Sequence, residues 1–225
     1  MDIAVLIPAH EEAERIGATV TAAAGIAGVT RVCVVDDGSR DGTADIAAAA
    51  GAKCVRLAFN VGKGAALEAG AARVADADII LLLDGDLGET ATQGGLLLAP
   101  LLAGKADMTV ATFPRPVNKA GFGLVKGLAR FGIARLGGGF LAEAPLSGQR
   151  AMTSECLETV RPFASGYGVE VALSVRALRA GLTVAEVPTM MTHAATGRDL
   201  AGFVHRGRQF AHVCIALIKL LFEKG

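Results

Sequence analysis

Short apolar runs separated by Ala-rich stretches set the rhythm of this chain. The runs at residues 2–7, 31–35, 53–57 and 78–83 predict four buried strands. The last of them, Ile79-Ile80-Leu81-Leu82-Leu83, is branched and apolar at every position, which fits a strand covered on both faces. Between the runs the pattern predicts helices. One opens at His10-Glu11-Glu12 and runs to about residue 25, with acids in its first turn as the helix dipole favours. A second follows Asp41-Gly42-Thr43 through Ala50, and a third follows Asn60-Val61-Gly62-Lys63-Gly64 to about Ala75. Such alternation means βαβ units and a mostly parallel sheet. Right-handed crossovers then bring every strand's carboxyl end to one edge.

The second half is less regular. A strand is predicted from Asp107 to Phe113, a helix over 169–180 closed by Gly181, a strand from Thr183 to Val187, and a last helix from about 200 to 222. The stretch Pro145-Leu146-Ser147-Gly148-Gln149-Arg150 reads as a strand end or a loop. With no repeat and no linker, residues 1–225 are expected to form one α/β domain.

The common edge carries Pro8, His10 and Glu12 after the first strand, Asp36 and Asp37 after the second, and Asp84-Gly85-Asp86 after the fourth. Ligands of open α/β sheets collect at that edge. Two carboxylates beside one Gly suit a hard divalent cation, and a diphosphate is the usual reason for such a cation. A polar turn after a strand is the plain alternative.

Composition narrows the classes. Hydrophobic residues make up 52% of the 225, and the mean hydropathy is +0.47, with Ala and Gly supplying much of it. No apolar run reaches the roughly 18–20 residues that span a bilayer. The N-terminus lacks a basic n-region, so no signal peptide is expected. Cys33, Cys54, Cys156 and Cys214 form no Cys-x-x-Cys pair and read as small core residues of a cytoplasmic protein. The net charge of zero argues against general nucleic-acid binding. Locally the charge is uneven. Residues 115–141 hold Arg115, Lys119, Lys126, Arg130 and Arg135 with no acid, and residues 193–219 hold Arg198, Arg206, Arg208 and Lys219 against Asp199 alone. Arg206 and Arg208 stand near a helix start, where acids are preferred. They mark either a phosphate or carboxylate ligand or a solvated basic face.

Residues 4–43 and 60–86 together resemble the family 2-type glycosyltransferases of the GT-A fold. The matching pieces are Pro8-Ala9-His10-Glu11-Glu12, Val35-Asp36-Asp37-Gly38-Ser39-Arg40-Asp41-Gly42-Thr43, Asn60-Val61-Gly62-Lys63-Gly64 and Asp84-Gly85-Asp86. Gly166-Tyr167-Gly168-Val169-Glu170 and the later His193 resemble the glucosyl-3-phosphoglycerate synthases. Polyprenyl-phosphate (dolichol-phosphate) glycosyltransferases share the first half and match the second less closely. The resemblance implies a single GT-A (Rossmann-like) domain with a C-terminal helical acceptor-side segment. Residues 1–112 would bind the nucleotide-sugar and residues 113–225 the acceptor.

The resemblance also implies roles. Pro8 and Glu12 line the nucleoside pocket, with His10 where many relatives carry an aromatic residue. Asp36 receives the uracil N3–H. Lys63 lies near the diphosphate, flanked by Gly62 and Gly64, which let backbone approach the phosphates. Asp86 is the direct metal ligand. Asp84, beside Gly85, reaches the ribose or a metal-bound water, and His193 is a third ligand, for Mg²⁺ or Mn²⁺. Glu11 replaces a common Asn. Gly88 stands where polyprenyl-phosphate enzymes often carry Gln, which weakens the lipid reading.

Sugar transfer builds negative charge on a leaving diphosphate, which a metal and Lys63 would stabilise. Glu170 either accepts a hydrogen bond from an acceptor or sugar hydroxyl, acting as base where a hydroxyl attacks, or is a charge favoured in a helix's first turn. Arg115, Arg198, Arg206 and Arg208 are the acceptor-binding candidates. The expected function is transfer of a sugar from a nucleotide-sugar, with a lean to UDP, to a small phosphorylated acceptor such as 3-phosphoglycerate. One alternative is transfer to a polyprenyl phosphate at the membrane surface, with peripheral contact at the inner face. Another is a nucleotide-sugar-binding protein without catalysis. A homodimer through the C-terminal helices is implied by resemblance alone.

Overall fold

A computed structural model describes residues 1–114, 123–192 and 200–223, with residues 200–206 described by their backbone alone. Seven strands form one sheet: β1 (Ile3–Ala9), β2 (Val29–Asp36), β3 (Lys53–Arg56), β4 (Ile79–Leu82), β5 (Met108–Thr112), β6 (Arg150–Thr153) and β7 (Val184–Pro188). Their order is β3-β2-β1-β4-β6-β5-β7. β1 to β4 run parallel, as do β5 and β7, and β6 lies antiparallel between β4 and β5.

The two-residue period of the strands sorts the core into two layers. Val5, Ile7, Ile79 and Leu81 face α1 (Ile16–Ala24), α2 (Thr43–Ala49) and α4 (Gly95–Leu102). Ala4, Leu6, Ile80 and Leu82 face α3 (Lys63–Ala71), α6 (Ser154–Val160) and α7 (Val169–Arg179). A third apolar cluster joins α5 (Gly123–Leu136), α7 and α8 (Leu200–Phe222). Leu81 has no exposed surface. Leu81→Ala is therefore expected to cost about 2–5 kcal/mol through lost transfer energy and a residual cavity. The check is the urea midpoint, which should fall at unchanged slope.

Three differences from the sequence reading have physical causes. First, β1 continues through Pro8 to Ala9 instead of stopping before Pro8. The Leu6 carbonyl accepts from the Leu83 N–H (3.2 Å), so Pro8, one strand period on, turns its nitrogen to the same side, and β4 pairs only as far as Leu6. No ladder bond is lost to the missing N–H. Second, α1 begins at Ile16, not at His10. The backbone N–H groups of Glu11, Glu12 and Ala13 are bound instead by Ser39 Oγ (2.9 Å), Thr43 Oγ1 (2.9 Å) and Asp41 Oδ2 (3.0 Å). Glu11 sits at φ +56° in this cross-linked loop. Third, the stretch ending in Gln149-Arg150, read as a strand end or a loop, leads into the amino end of a strand with no predicted counterpart, β6. Because β6 is antiparallel, its amino end, not its carboxyl end, lies at the edge where the other strands finish. The other predicted elements match their expected places to within a few residues, α4, α5 and α6 had no predicted bounds, and the cysteines are all unpaired.

Candidate active site

The acidic turn after β4 is clamped onto α1. Buried Thr19 donates its hydroxyl to the Gly85 carbonyl (2.8 Å) and accepts from the Gly88 N–H (2.8 Å), while Arg15 Nη1 donates to the Asp86 carbonyl (3.3 Å). A Cβ on Gly85 would stand 3.2 Å from Ala9 Cβ and 3.4 Å from Glu12 Cγ, so Glu12 packs directly on this turn. The Glu12 carboxyl is pushed up to about 7, first by burial and then by the charges of Asp86 and Asp84. Three carboxylates, Glu12, Asp84 and Asp86, therefore share one part of the rim, where their charges oppose one another.

The neighbouring loop is held by two aspartates at the end of β2. Asp36 is buried and accepts from the Ser39 N–H (3.0 Å). Asp37 accepts from Val61 N–H and Gly62 N–H, both at 2.8 Å, so its carboxylate fastens the 60–62 loop. Gly38, at φ +72°, lies flat on the Phe59–Asn60 backbone and leaves no space for a side chain. Gly62, at φ +92°, turns the chain into α3 and delivers Lys63 as its first residue.

Lys63 is the hub. Its Nζ lies 2.7 Å from Asp84 Oδ1 and 3.0 Å from Glu170 Oε1. Burial pulls the ammonium down, but the two carboxylates outweigh it and hold the lysine charged. The second Asp84 oxygen accepts from Gln149 Nε2 (2.7 Å), and Gln149 is fully buried. A Cβ on Gly148 would fall 2.9 and 3.0 Å from the Asp84 oxygens and run into Lys63 Nζ. Glu170 sits in the first turn of α7 and is 6% exposed. Glu170, Lys63 and Asp84, predicted from separate segments, thus meet in one ion-paired row.

The Gly166-Tyr167-Gly168 turn leads into that glutamate. Tyr167 stacks on His212 of α8 with ring centroids 5.7 Å apart, and its N–H donates to His212 Nδ1 (3.3 Å). Burial, then the Glu170 charge, raises the Tyr167 hydroxyl above its usual value. On α3, Glu68 accepts from Arg161 Nη2 (2.6 Å), Arg161 Nε (3.0 Å) and the Phe163 N–H (3.0 Å), tying the segment before this turn to the helix that carries Lys63. Burial raises the Glu68 carboxyl, but the Arg161 and Phe163 contacts outweigh it and leave it below its usual 4.5. A depressed carboxyl stabilises above its unfolded value and loses that contribution as pH falls through the folded one. Glu68→Gln is therefore expected to cost about 1 kcal/mol at neutral pH, after discounting for partial exposure. The difference from the parent should shrink as pH falls below the usual 4.5 and through the lower folded value, as unfolding midpoints measured across that range will show.

The predicted residues fall into three groups. Glu12, Asp84, Gly85, Asp86, Gly62, Lys63 and Glu170 converge, with Pro8 and Asp36 at neighbouring strand ends and His10 exposed beside them. Arg208 is exposed on α8, and its charge acts on Tyr167. Arg206 lies on the same helix, described by backbone only, while Arg115, His193 and Arg198 lie outside the described residues. Three residues were missed from sequence, Thr19, Gly148 and Gln149, and nothing in the sequence marked them as part of the site. Asp37 was placed at the edge beside Asp36 but given no role.

The donor set suits Mg²⁺ or Mn²⁺, since every candidate on the described rim is a carboxylate oxygen and their charge is in surplus. Among the described residues no three His, Cys, Asp or Glu side chains already close on one point.

Solved structures of glucosyl-3-phosphoglycerate synthase from Mycobacterium tuberculosis share this arrangement of strands and helices. One, in complex with Mg²⁺ and UDP, superposes with a TM-score of 0.81 at 27% identity, over 97% of this chain and 79% of the other. A second, with Mn²⁺, UDP-glucose and phosphoglyceric acid, gives 0.79 at 27% identity, over 100% and 81%. The fold is thus that of a sugar-nucleotide-binding α/β enzyme class. A family model, glycosyl transferase family 2, matches residues 4–126, and the chain belongs to that family. Glycosyltransferase AglJ of Haloferax volcanii is 31% identical over 205 residues, covering 88% of this chain and 65% of its own. Glucosyl-3-phosphoglycerate synthase of Mycolicibacterium paratuberculosis is 33% identical over 202 residues, covering 77% and 59%. The chain therefore spans about three fifths of the length of these two relatives.

Proposed function

We propose that this chain transfers a sugar from a UDP-sugar to a small phosphorylated acceptor such as 3-phosphoglycerate, with Mg²⁺ or Mn²⁺. The observation that carries the reading is Lys63, a charged lysine held between Asp84 and Glu170 at the carboxyl edge of the sheet. It is supported by the likeness to synthase structures that hold Mn²⁺, UDP-glucose and phosphoglyceric acid together.

In this reading Pro8, His10, Glu12 and Asp36 receive the nucleoside, and Gly62, Lys63, Asp84 and Gly85 border the diphosphate and sugar. Asp86, with Asp84 and His193, would hold the cation, which supplies Lewis-acid neutralisation of the diphosphate. The bond between the anomeric carbon and the diphosphate oxygen breaks, and the acceptor oxygen forms the new bond. Lys63 turns from its carboxylates to the leaving oxygens, where charge accumulates. Glu170 accepts the hydrogen bond of the attacking hydroxyl and takes its proton. Arg208, with Arg115, Arg198 and Arg206, would face the anionic acceptor.

The test is UDP release from UDP-glucose with 3-phosphoglycerate, with and without Mn²⁺. Release should require both acceptor and metal, and Asp86→Ala should lower it by about 10²–10³-fold if its loss compares with removing one charge-stabilising contact. Metal-independent release, or tight UDP binding with no release, would contradict the reading.

One observation favours transfer to a polyprenyl phosphate instead. α5 and α8 expose Leu124, Phe131, Ile218, Leu221 and Phe222 beside Lys126, Arg130 and Lys219. Among the described residues no helix is long and apolar enough to cross a membrane, so such an acceptor would be met at the surface. Release with a short-chain polyprenyl phosphate and none with phosphoglycerate would select this second reading.

A further inference from the structure

Arg150, the first residue of β6, has no exposed surface. Its Nε donates to the Ser147 carbonyl (3.0 Å), and its Nη1 donates to the Ser174 hydroxyl (2.9 Å) and lies 3.5 Å from the Met108 sulfur. Nη2 is buried with no hydrogen-bond partner among the described residues. A buried guanidinium with an unmatched donor is costly, and packing does not explain it, because an apolar side chain of the same volume fills such a space at lower cost. What it reaches is informative. The Ser174 hydroxyl donates in turn to the Glu170 carbonyl (3.1 Å). Guanidinium, hydroxyl and carbonyl thus form a chain that ends on the first turn of α7, at the residue whose carboxylate pairs with Lys63. Burial pulls the guanidinium down to about 10, and Glu170 leads the charges that push it back up. Two cations, the partly exposed Lys63 and the fully buried Arg150, therefore act on Glu170, and Lys63 pairs with it directly.

We propose that Arg150 is a positioning residue for sugar transfer: through Ser174 it fixes the first turn of α7, and with it the place of Glu170, when Lys63 turns to the donor's diphosphate. The inference rests on the transferase reading above. It assigns the two cations different tasks. Lys63 is partly exposed and able to move to a ligand, whereas Arg150 has no exposed surface.

The experiment compares the full chain with Arg150→Met, Ser174→Ala and Glu170→Gln, using UDP-glucose, Mn²⁺ and 3-phosphoglycerate. Arg150→Met should melt no lower than the parent, since an apolar isostere commonly replaces a buried charge without loss. Its kcat should fall by about tenfold or more while the KM for UDP-glucose stays within about twofold, the pattern of an interaction used in the transition state only. Ser174→Ala should show the same split to a smaller degree, and it decides the matter if Arg150→Met does not fold. Unchanged kcat in a folded Arg150→Met, or in Ser174→Ala when that variant decides, with Glu170→Gln inactive, would overturn the positioning role alone. A parent chain that releases no UDP would overturn the transferase reading itself.

Discussion

Lys63→Met is expected to lower turnover by about 10²–10³-fold, the usual cost of removing one preorganised charge-stabilising contact. It should also cost up to about 3 kcal/mol of stability in the metal-free protein, after discounting for partial exposure, because Asp84 and Glu170 lose the ammonium they share. Both effects come from one geometry: the ammonium stands 2.7 Å from Asp84 and 3.0 Å from Glu170. The stability loss has a distinctive signature. A divalent cation binding at the same rim should recover part of it, since it replaces some of the missing positive charge. Metal titration of the melting temperature, read beside UDP release, separates the two roles. A variant with near-parental turnover would remove Lys63 from the reaction.

Gly148→Ala is expected to act with a similar reach and a different balance. The new methyl would stand 2.9–3.0 Å from the Asp84 oxygens and against Lys63 Nζ. Lys63 is the far end of a flexible chain and gives way easily, so the fold should survive with little change in unfolding midpoint. The row of charges would not. A displacement of about 1 Å in a catalytic constellation costs about 10²-fold in rate, and that is the loss predicted in kcat/KM. Rates within threefold of the parent (about 0.7 kcal/mol in barrier terms) would show that the spacing of Lys63 and Asp84 is not critical.

Much of this site was legible in the sequence, for reasons that differ by residue. Asp84 and Asp86 follow a run of five apolar residues, and a strand so uniformly greasy has to surface somewhere. Lys63 was marked by the glycines on both sides, and Gly62 does adopt a left-handed conformation. Glu170 was marked by the turn before it. The start of α1 was misplaced because Ser39, Asp41 and Thr43, thirty residues away in the chain, take the N–H groups that a helix would have used. Local propensity carries no trace of that competition. Gln149 and Gly148 were missed because β6 has only four residues and begins with a buried Arg, so neither period nor composition announces a strand. Its antiparallel direction then places those two residues at the rim, against the rule that only carboxyl ends gather there. The part of the rim formed at the ends of β1, β2 and β4 was thus readable from motifs, while the part contributed by β6 depends on a topology that no single stretch reveals.

The central claim is that this chain joins a sugar to a small phosphorylated acceptor. Mass spectrometry of the product formed from UDP-glucose and 3-phosphoglycerate tests it most directly. The account predicts a new species heavier than the acceptor by one hexosyl group, formed with Mg²⁺ or Mn²⁺ and absent with Asp86→Ala. Free glucose and UDP as the only products, or no product at all from a chain that binds UDP, would contradict it.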